Sequence, residues 1–206
     1  MSVIIRKPRE NEKPDCASLI YASAPHLFKF LTKGNKEICH KYIEIFLNYP
    51  NTSYAMENIM VEEVQDQIRG LLLAYPTTAV KNKAANAKAC KKEVRKLLGW
   101  VKWIRLFLIS KFEDHKPEMD KEYFISALAV FESFRGRGIA LRLLKKAESL
   151  CKEQGIKKLS LCVTVKNKRA YKIYKEFGFK EEQTIMFPKR YERFDMYGFI
   201  KMVKLV

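Results

Sequence analysis

The feature that most constrains the fold of this chain is a strand, a turn with two glycines and a helix that follow one another closely. The strand is predicted from Tyr123 to Val130, and the turn Arg135-Gly136-Arg137-Gly138 follows it. Residues 139–153 then place apolar side chains every three or four positions, which predicts an amphipathic helix. A second strand is predicted from Leu159 to Val165. This order predicts a parallel strand pair joined by a right-handed crossover.

The segments on either side of this unit predict antiparallel neighbours. Further strands are predicted at residues 3–8, 59–64, 68–75, 182–187 and 197–205. One helix is predicted near Pro14, and two more are predicted to begin at the N-caps Asn35 and Asn167. The triplet Gln65-Asp66-Gln67 is short enough for a hairpin turn, and the strand after it is apolar on both faces, as an interior strand is. The predicted fold class is therefore α/β (α+β by some schemes), with a mixed, mostly antiparallel sheet of about six to seven strands flanked by helices. We expect one domain over residues 1–206.

Residues 79–110 differ in composition from the rest of the chain. Alanine, lysine and asparagine dominate their first half, and apolar residues then recur every three or four positions from Val94 to Leu108. This pattern predicts one or two basic amphipathic helices, inserted before the central strand. Such a helix can lie on a membrane surface, but we favour the alternative that it packs on its own domain.

The chain is strongly basic, with 40 Lys and Arg residues, 23 Asp and Glu residues and a formal net charge of +17. This excess fits nucleic-acid binding, an anionic ligand such as CoA, or a solvated lysine-rich surface, and charge does not choose among them. The sequence has no helix-turn-helix or RNA-binding aromatic signature. No apolar stretch reaches the length of a membrane span, about 18 residues, so we expect a cytoplasmic protein without a membrane partner.

The five cysteines and three histidines show no metal-binding spacing. No two cysteines form a CxxC pair, and an odd number argues against a complete disulfide framework. We therefore expect buried, reduced thiols and no metal site.

The turn Arg135-Gly136-Arg137-Gly138 has the features of an anion-binding site. The first N–H groups of a helix have no partner within it, and the helix dipole attracts negative charge. The two glycines let the backbone approach a phosphate, and the two arginines add positive charge. Two common phosphate motifs do not fit. The sequence GxxxxGK followed by Ser or Thr is absent, and Leu141 stands where a dinucleotide-binding turn needs Gly or Ala.

The pattern that fits this turn is R-x-x-G-x-A, at Arg135, Gly138 and Ala140. A second string downstream is Asn167-x-x-Ala170-x-x-x-Tyr174-x-x-x-Gly178-Phe179. The two strings, and the order of strands and helices between them, resemble the signatures of the GCN5-related N-acetyltransferase superfamily, usually called GNAT. The strong resemblance covers residues 122–180.

The resemblance implies a site for acetyl-CoA, the co-substrate of this family. The backbone at Leu128-Ala129-Val130 would pair with the pantetheine arm, and the strand at 159–165 would diverge to open a slot. The residues that would hold the pyrophosphate are Arg135, Gly136, Arg137, Gly138, Ile139 and Ala140. Asn167 would hydrogen-bond the cofactor near its thioester, and Tyr174 would lie beside the sulfur.

Tyr174 is the predicted catalytic residue, and its chemistry can be argued separately from the resemblance. Acyl transfer to an amine forms an oxyanion and expels a thiolate. A phenol with a pKa of about 10 can protonate or hydrogen-bond a thiolate whose thiol has a pKa of about 8.5. A backbone N–H at or near Val130 could stabilise the oxyanion. The alternative is that Tyr174 is a core residue of an amphipathic helix, and Tyr171 is a weaker candidate.

A group must accept the proton of the amine, and the candidate carboxylates are Glu62, Glu63 and Glu122. Alternate residues of a strand face opposite sides, so at most one of Glu62 and Glu63 points into the slot. Glutamates are usually surface residues, and a water chain could serve instead. No base is predicted.

The predicted function is transfer of the acetyl group of acetyl-CoA to a primary amine by direct attack in a ternary complex. The acceptor could be a small molecule or an amine of a peptide or protein, and the sequence selects none. Two alternatives stay open: a nucleic-acid-binding protein that uses the basic helices, which is the less favoured, and a CoA-binding module without catalysis. The oligomeric state, a homodimer included, is also open.

Overall fold

The computed structural model describes residues 3–32, 34–50, 52–80, 90–99 and 121–206, and seven strands of this part form one sheet. The strands are β1 Ile4–Arg6, β2 Ile59–Val64, β3 Gln67–Pro76, β4 Tyr123–Val130, β5 Lys158–Thr164, β6 Lys180–Met186 and β7 Gly198–Leu205. They lie in the order β1-β2-β3-β4-β5-β7-β6. Among them β4 and β5 make the one parallel pair, and every other pair is antiparallel. The predicted mixed, mostly antiparallel sheet is confirmed.

Helices cover both faces of the sheet. They are α1 Lys13–Ser23, α2 Pro25–Thr32, α3 Lys36–Leu47, α4 Thr77–Val80, α5 (the helical residues 90–99), α6 Ile139–Glu153 and α7 Lys168–Glu176. Asn35 caps α3 as predicted, because its Oδ1 accepts a hydrogen bond from the N–H of Ile38 at 2.9 Å. The sequence did not predict α2. Pro25 starts this helix, in the first turn, where its missing N–H costs nothing.

The core has one layer on each face of the sheet. Leu19 of α1, Ile43 of α3 and Leu71 of β3 belong to the buried cluster of one face. Leu143 of α6 and Leu161 of β5 belong to the cluster of the other, against which α7 also packs. This arrangement fixes α6 and α7 on the same side of the sheet.

The hairpin between β2 and β3 is tighter than predicted. Its turn consists of Gln65 and Asp66 alone, with φ of 53° and 56°, and Gln67 already belongs to β3. Positive φ at both central residues matches the twist of a two-residue hairpin. The strand β3 lies between β2 and β4, which confirms that it is an interior strand.

The described part of the predicted insertion packs on its own domain, the alternative favoured from the sequence. Cys90, Val94 and Leu98 of α5 are buried against apolar side chains of α3 and the residues that follow it. The hydroxyl of Tyr49 also donates to Glu93 Oε1 at 2.7 Å. Residues 81–89 and 100–120, with most of the loop predicted at 111–121, lie outside the described residues. None of the described helices is long and apolar enough to cross a bilayer.

Candidate active site

The glycine turn between β4 and α6 is exposed and has an unusual backbone conformation. A 3-10 turn, Glu132–Phe134, precedes it, and α6 begins at Ile139. Gly136 and Gly138 have φ of +82° and +74°, a region that disfavours any residue with a Cβ. A Cβ on Gly136 would meet no atom within 4 Å. Backbone conformation, and not crowding, therefore explains why this position is glycine.

The turn leaves the first amides of α6 available. Gly138 is the N-cap of the helix and, as a glycine, offers no side-chain acceptor. The first bond of the helix runs from the N–H of Arg142 to the carbonyl of Gly138, at 3.1 Å. The N–H groups of Ile139, Ala140 and Leu141 consequently have no acceptor within the helix. Such a helix start attracts anions, and phosphates in particular.

Arg135 and Arg137 are the two cations of the turn. Arg135 Nη1 lies 3.6 Å from Glu132 Oε1 in an exposed ion pair. The guanidinium of Arg137 lies 5.5 Å from the ring centre of Phe134, and that of Arg69 lies 4.9 Å from the same ring. The sequence analysis missed Arg69, which places a further cation on the segment before the turn.

Gly70 of β3 lies directly beneath the start of α6. A Cβ at this position would lie 2.8 Å from Ile139 Cγ2 and 3.1 Å from the carbonyl oxygen of Ala129. The glycine therefore allows the helix start to pack against the sheet. Its signal in the sequence is a lone glycine inside an apolar strand, which often marks a close approach.

The strands β4 and β5 part halfway along their length. The last paired residues are Ile125 and Leu161. In the described structure, the residues of β4 from Ser126 to Val130 therefore do not pair with β5. The divergence that the resemblance implied is present. Of the residues expected at the pantetheine arm, Leu128 and Val130 lie on the α6 face of the sheet, and Ala129 is buried on the opposite face.

The two predicted site residues of α7 occupy different environments. Asn167 is exposed and caps the helix, with its Oδ1 accepting from the N–H of Ala170 at 3.1 Å. Tyr174 is half-buried in the cluster on the α6 face, with its ring 5.9 Å from that of Phe179. Burial raises the pKa of Tyr174 to about 12, so the hydroxyl is a hydrogen-bond donor at neutral pH. Tyr171 instead donates its hydroxyl to Glu181.

The expectation that Glu62, Glu63 and Glu122 are surface residues is wrong, since all three are buried. Glu62 accepts two hydrogen bonds from Arg142, and Glu63 accepts two from Arg6, one from Nε at 2.9 Å and one from Nη2. Burial of a carboxylate is costly unless a cation compensates it, and each of these two has its arginine. Neither of them is available as a free base.

Glu122 belongs to a buried ion pair at the paired end of β4 and β5. Lys201 Nζ lies 2.9 Å from Glu122 Oε1 and 2.5 Å from Glu182 Oε2. Because β5 lies between β4 and β7, the side chain of Lys201 crosses β5 to reach Glu122. Desolvation alone would lower the pKa of Lys201, but the hydrogen bonds that it donates to Glu182 and Glu122 raise it above its ordinary value. Lys201 therefore stays protonated at neutral pH.

The five cysteines are reduced thiols, and four of them are buried, as expected. Within the described ranges, no group of three or more His, Cys, Asp and Glu side chains is arranged to hold a metal ion.

Comparisons with known proteins indicate the family. A family model described as "Acetyltransferase (GNAT) family" matches residues 103–179. The uncharacterized N-acetyltransferase YycN of Bacillus subtilis (strain 168) is 33% identical over 93 residues, which are 45% of this chain and 54% of that protein. The chloroplastic GCN5-related N-acetyltransferase 4 of Arabidopsis thaliana is 44% identical over 57 residues, which are 28% of this chain and 20% of that protein. The chain thus spans about half of the first relative and a fifth of the second.

The fold is shared along nearly the whole chain. The crystal structure of an N-acetyltransferase from Staphylococcus aureus Mu50 matches with a TM-score of 0.70 and 24% identity, over 98% of this chain and 100% of that chain. The family match, the curated relatives and the common fold all indicate the GNAT superfamily.

Proposed function

We propose that this protein transfers the acetyl group of acetyl-CoA to a primary amine by direct attack in a ternary complex. The observation that carries the proposal is the uncapped start of α6 at Gly138, which lies beside the divergence of β4 and β5. A diphosphate on the amides of this turn would direct the pantetheine arm along β4. The thioester would then lie near the point where the two strands part.

The backbone of Leu128-Ala129-Val130 is the proposed partner of the pantetheine arm, because it lies beyond the last residues paired with β5. An extended ligand can pair with such a strand edge. For Asn167, the cap uses the side-chain oxygen, so the amide Nδ2 is the group left to donate to the cofactor. Its role as a cap and its role as a ligand contact are compatible.

Tyr174 is proposed to stabilise the departing thiolate by a hydrogen bond. With the pKa of Tyr174 at about 12 and that of a thiol at about 8.5, complete proton transfer to the sulfur costs about 5 kcal/mol at equilibrium. A hydrogen bond to the developing charge needs no such transfer. We assign the proton of the attacking amine to a water chain, because Arg142 and Arg6 hold Glu62 and Glu63.

The test begins with acetyl-CoA binding by calorimetry. It continues with a thiol-release assay on a panel of peptides, polyamines and aminoglycosides. Saturable binding and thiol release with at least one amine are expected. Binding without release for the whole panel would favour a CoA-binding module without catalysis. Absence of binding would refute the proposal, and a gel shift at physiological salt would then test the nucleic-acid alternative.

A matched pair of glycine variants tests the turn itself. Gly136 and Gly155 both have positive φ, at +82° and +67°, and a Cβ on either would meet no atom within 4 Å. Gly136→Ala and Gly155→Ala should therefore cost similar stability. Only Gly136→Ala adds a methyl group where the diphosphate would approach, so it alone should weaken acetyl-CoA binding. Equal affinities of the two variants would contradict this placement.

A cytoplasmic location is part of the proposal. The five reduced cysteines support it, since thiols persist in reducing compartments.

A further inference from the structure

Arg142, in the first turn of α6, connects the sheet to the glycine turn. Its Nε and Nη2 donate to Glu62 Oε2 and Oε1 at 2.9 and 2.7 Å, and its Nη1 donates to the carbonyl of Arg137 at 3.0 Å. The side chain of Glu62 on β2 is fully buried, at 0% exposure. One guanidinium thereby joins a fixed point of the core to the backbone of the turn.

The contact with the Arg137 carbonyl determines the direction of the next amide. In a trans peptide the C=O and the following N–H point in opposite directions, and the described chain has no cis peptide bond. The carbonyl of Arg137 points toward the guanidinium, so the N–H of Gly138 points away from it. The packing is close, because a Cβ on Gly138 would lie 3.2 Å from Arg142 Nη1.

The same guanidinium also compensates a buried charge. Glu62 places a carboxylate beneath the turn, where its field would oppose a bound diphosphate. The two hydrogen bonds from Arg142 form a fork that matches both carboxylate oxygens. A lysine has the charge but lacks the planar fork, and it cannot hold Glu62 and the Arg137 carbonyl in this geometry.

We propose that Arg142 is a positioning residue for the cofactor: anchored on Glu62, it orients the Arg137–Gly138 peptide so that its N–H faces the diphosphate. This inference rests on the proposed function. Arg142 itself does not touch the cofactor, and it acts through the backbone of Gly138.

The test compares two ligands, CoA and pantetheine, of which only CoA carries the diphosphate. Their dissociation constants are measured by NMR titration for the wild type and Arg142→Lys. This variant should bind CoA about tenfold more weakly, the effect of one charge-assisted hydrogen bond. Pantetheine affinity should change by less than about twofold, because pantetheine does not reach the turn. A loss confined to stability would lower the affinities for both ligands alike.

The pair Arg6 and Glu63 is a matched control. Glu63 is the neighbour of Glu62, is also buried and accepts from Arg6 Nε at 2.9 Å. Among the described residues, however, Arg6 donates its hydrogen bonds to Glu63, Glu12 and the carbonyl of Lys7, and not to the turn. Arg6→Lys should lower the melting temperature and leave the ratio of the two dissociation constants unchanged. Wild-type CoA affinity in Arg142→Lys, equal losses for both ligands, or the same selective loss in Arg6→Lys would each overturn the inference.

Failure of the wild type to bind CoA would refute the proposed function separately. The positioning role is then decided by a crystal structure of Arg142→Lys without ligand. A rotated Arg137–Gly138 peptide supports the role, and an unchanged peptide overturns it.

Discussion

Replacement of Tyr174 by phenylalanine removes one hydroxyl group and retains the ring that packs 5.9 Å from Phe179. Stability should therefore change little. A hydrogen bond to a charged group contributes about 1.5–3 kcal/mol, which corresponds to about a ten- to a hundredfold lower turnover. The affinity for acetyl-CoA should change by less than about threefold, because the hydroxyl interacts most strongly with the sulfur once it becomes a thiolate.

The pH dependence of turnover separates a buried donor from an ordinary tyrosine. Loss of the phenolic proton removes the hydrogen-bond donor. The part of the turnover rate that depends on this donor therefore falls as the pH rises through the pKa of Tyr174. Burial raises that pKa to about 12, whereas an ordinary tyrosine has a pKa of about 10. We therefore expect wild-type turnover to stay level between about pH 9 and about pH 10.5.

The assay is thiol release at saturating acetyl-CoA, with an amine taken from the panel. The matched control is Tyr171→Phe, on the same helix, whose lost hydroxyl donates to Glu181. The control should retain wild-type turnover. If Tyr174→Phe equals the wild type at every pH, the hydroxyl has no part in the reaction.

Three further changes test the packing around the site. Gly70→Ala forces a methyl group to within 2.8 Å of Ile139 Cγ2, so it should lower the free energy of unfolding in urea by about 1–3 kcal/mol and weaken CoA binding. Lys201→Met leaves Glu122 buried without its cation and should cost about 3–5 kcal/mol at neutral pH; addition of Glu122→Gln should recover most of this in the same measurement. Leu98→Ala should lower the free energy of unfolding by about 2–5 kcal/mol, because Leu98 packs against α3 and is only 4% exposed. A change near zero would contradict the packing of α5.

The parts of the fold that the sequence predicted depend on neighbouring residues. The predicted helix over residues 139–153 is observed as Ile139–Glu153, because its apolar repeat and its glycine boundaries act within one segment. Asn35 and Asn167 cap their helices through a backbone N–H three residues away. A cap needs no tertiary contact, so a pattern in the sequence is enough to predict it.

The parts that could not be predicted join distant segments. Arg142 and Glu62 are 80 residues apart, and Lys201 and Glu122 are 79 apart. A glutamate on a strand gives the same local pattern whether its side chain faces water or a buried cation. The expectation that these glutamates lie at the surface was therefore wrong, because distant segments of the chain supply their cations. The positive φ of Gln65 and Asp66 was missed for a different reason, since neither is a glycine.

The effect of the net charge of +17 depends on where the acidic residues lie. Glu62, Glu63 and Glu122 are buried and matched by cations, so each of these pairs contributes almost no field at the surface. The positive excess therefore acts at the surface, where it raises the local concentration of any polyanion. Diffuse charge of this kind does not distinguish one polyanion from another, whereas the amides that begin at Gly138 have fixed directions and suit a phosphate. Charge attracts an anion to this protein, and the backbone of the turn selects which anion stays bound.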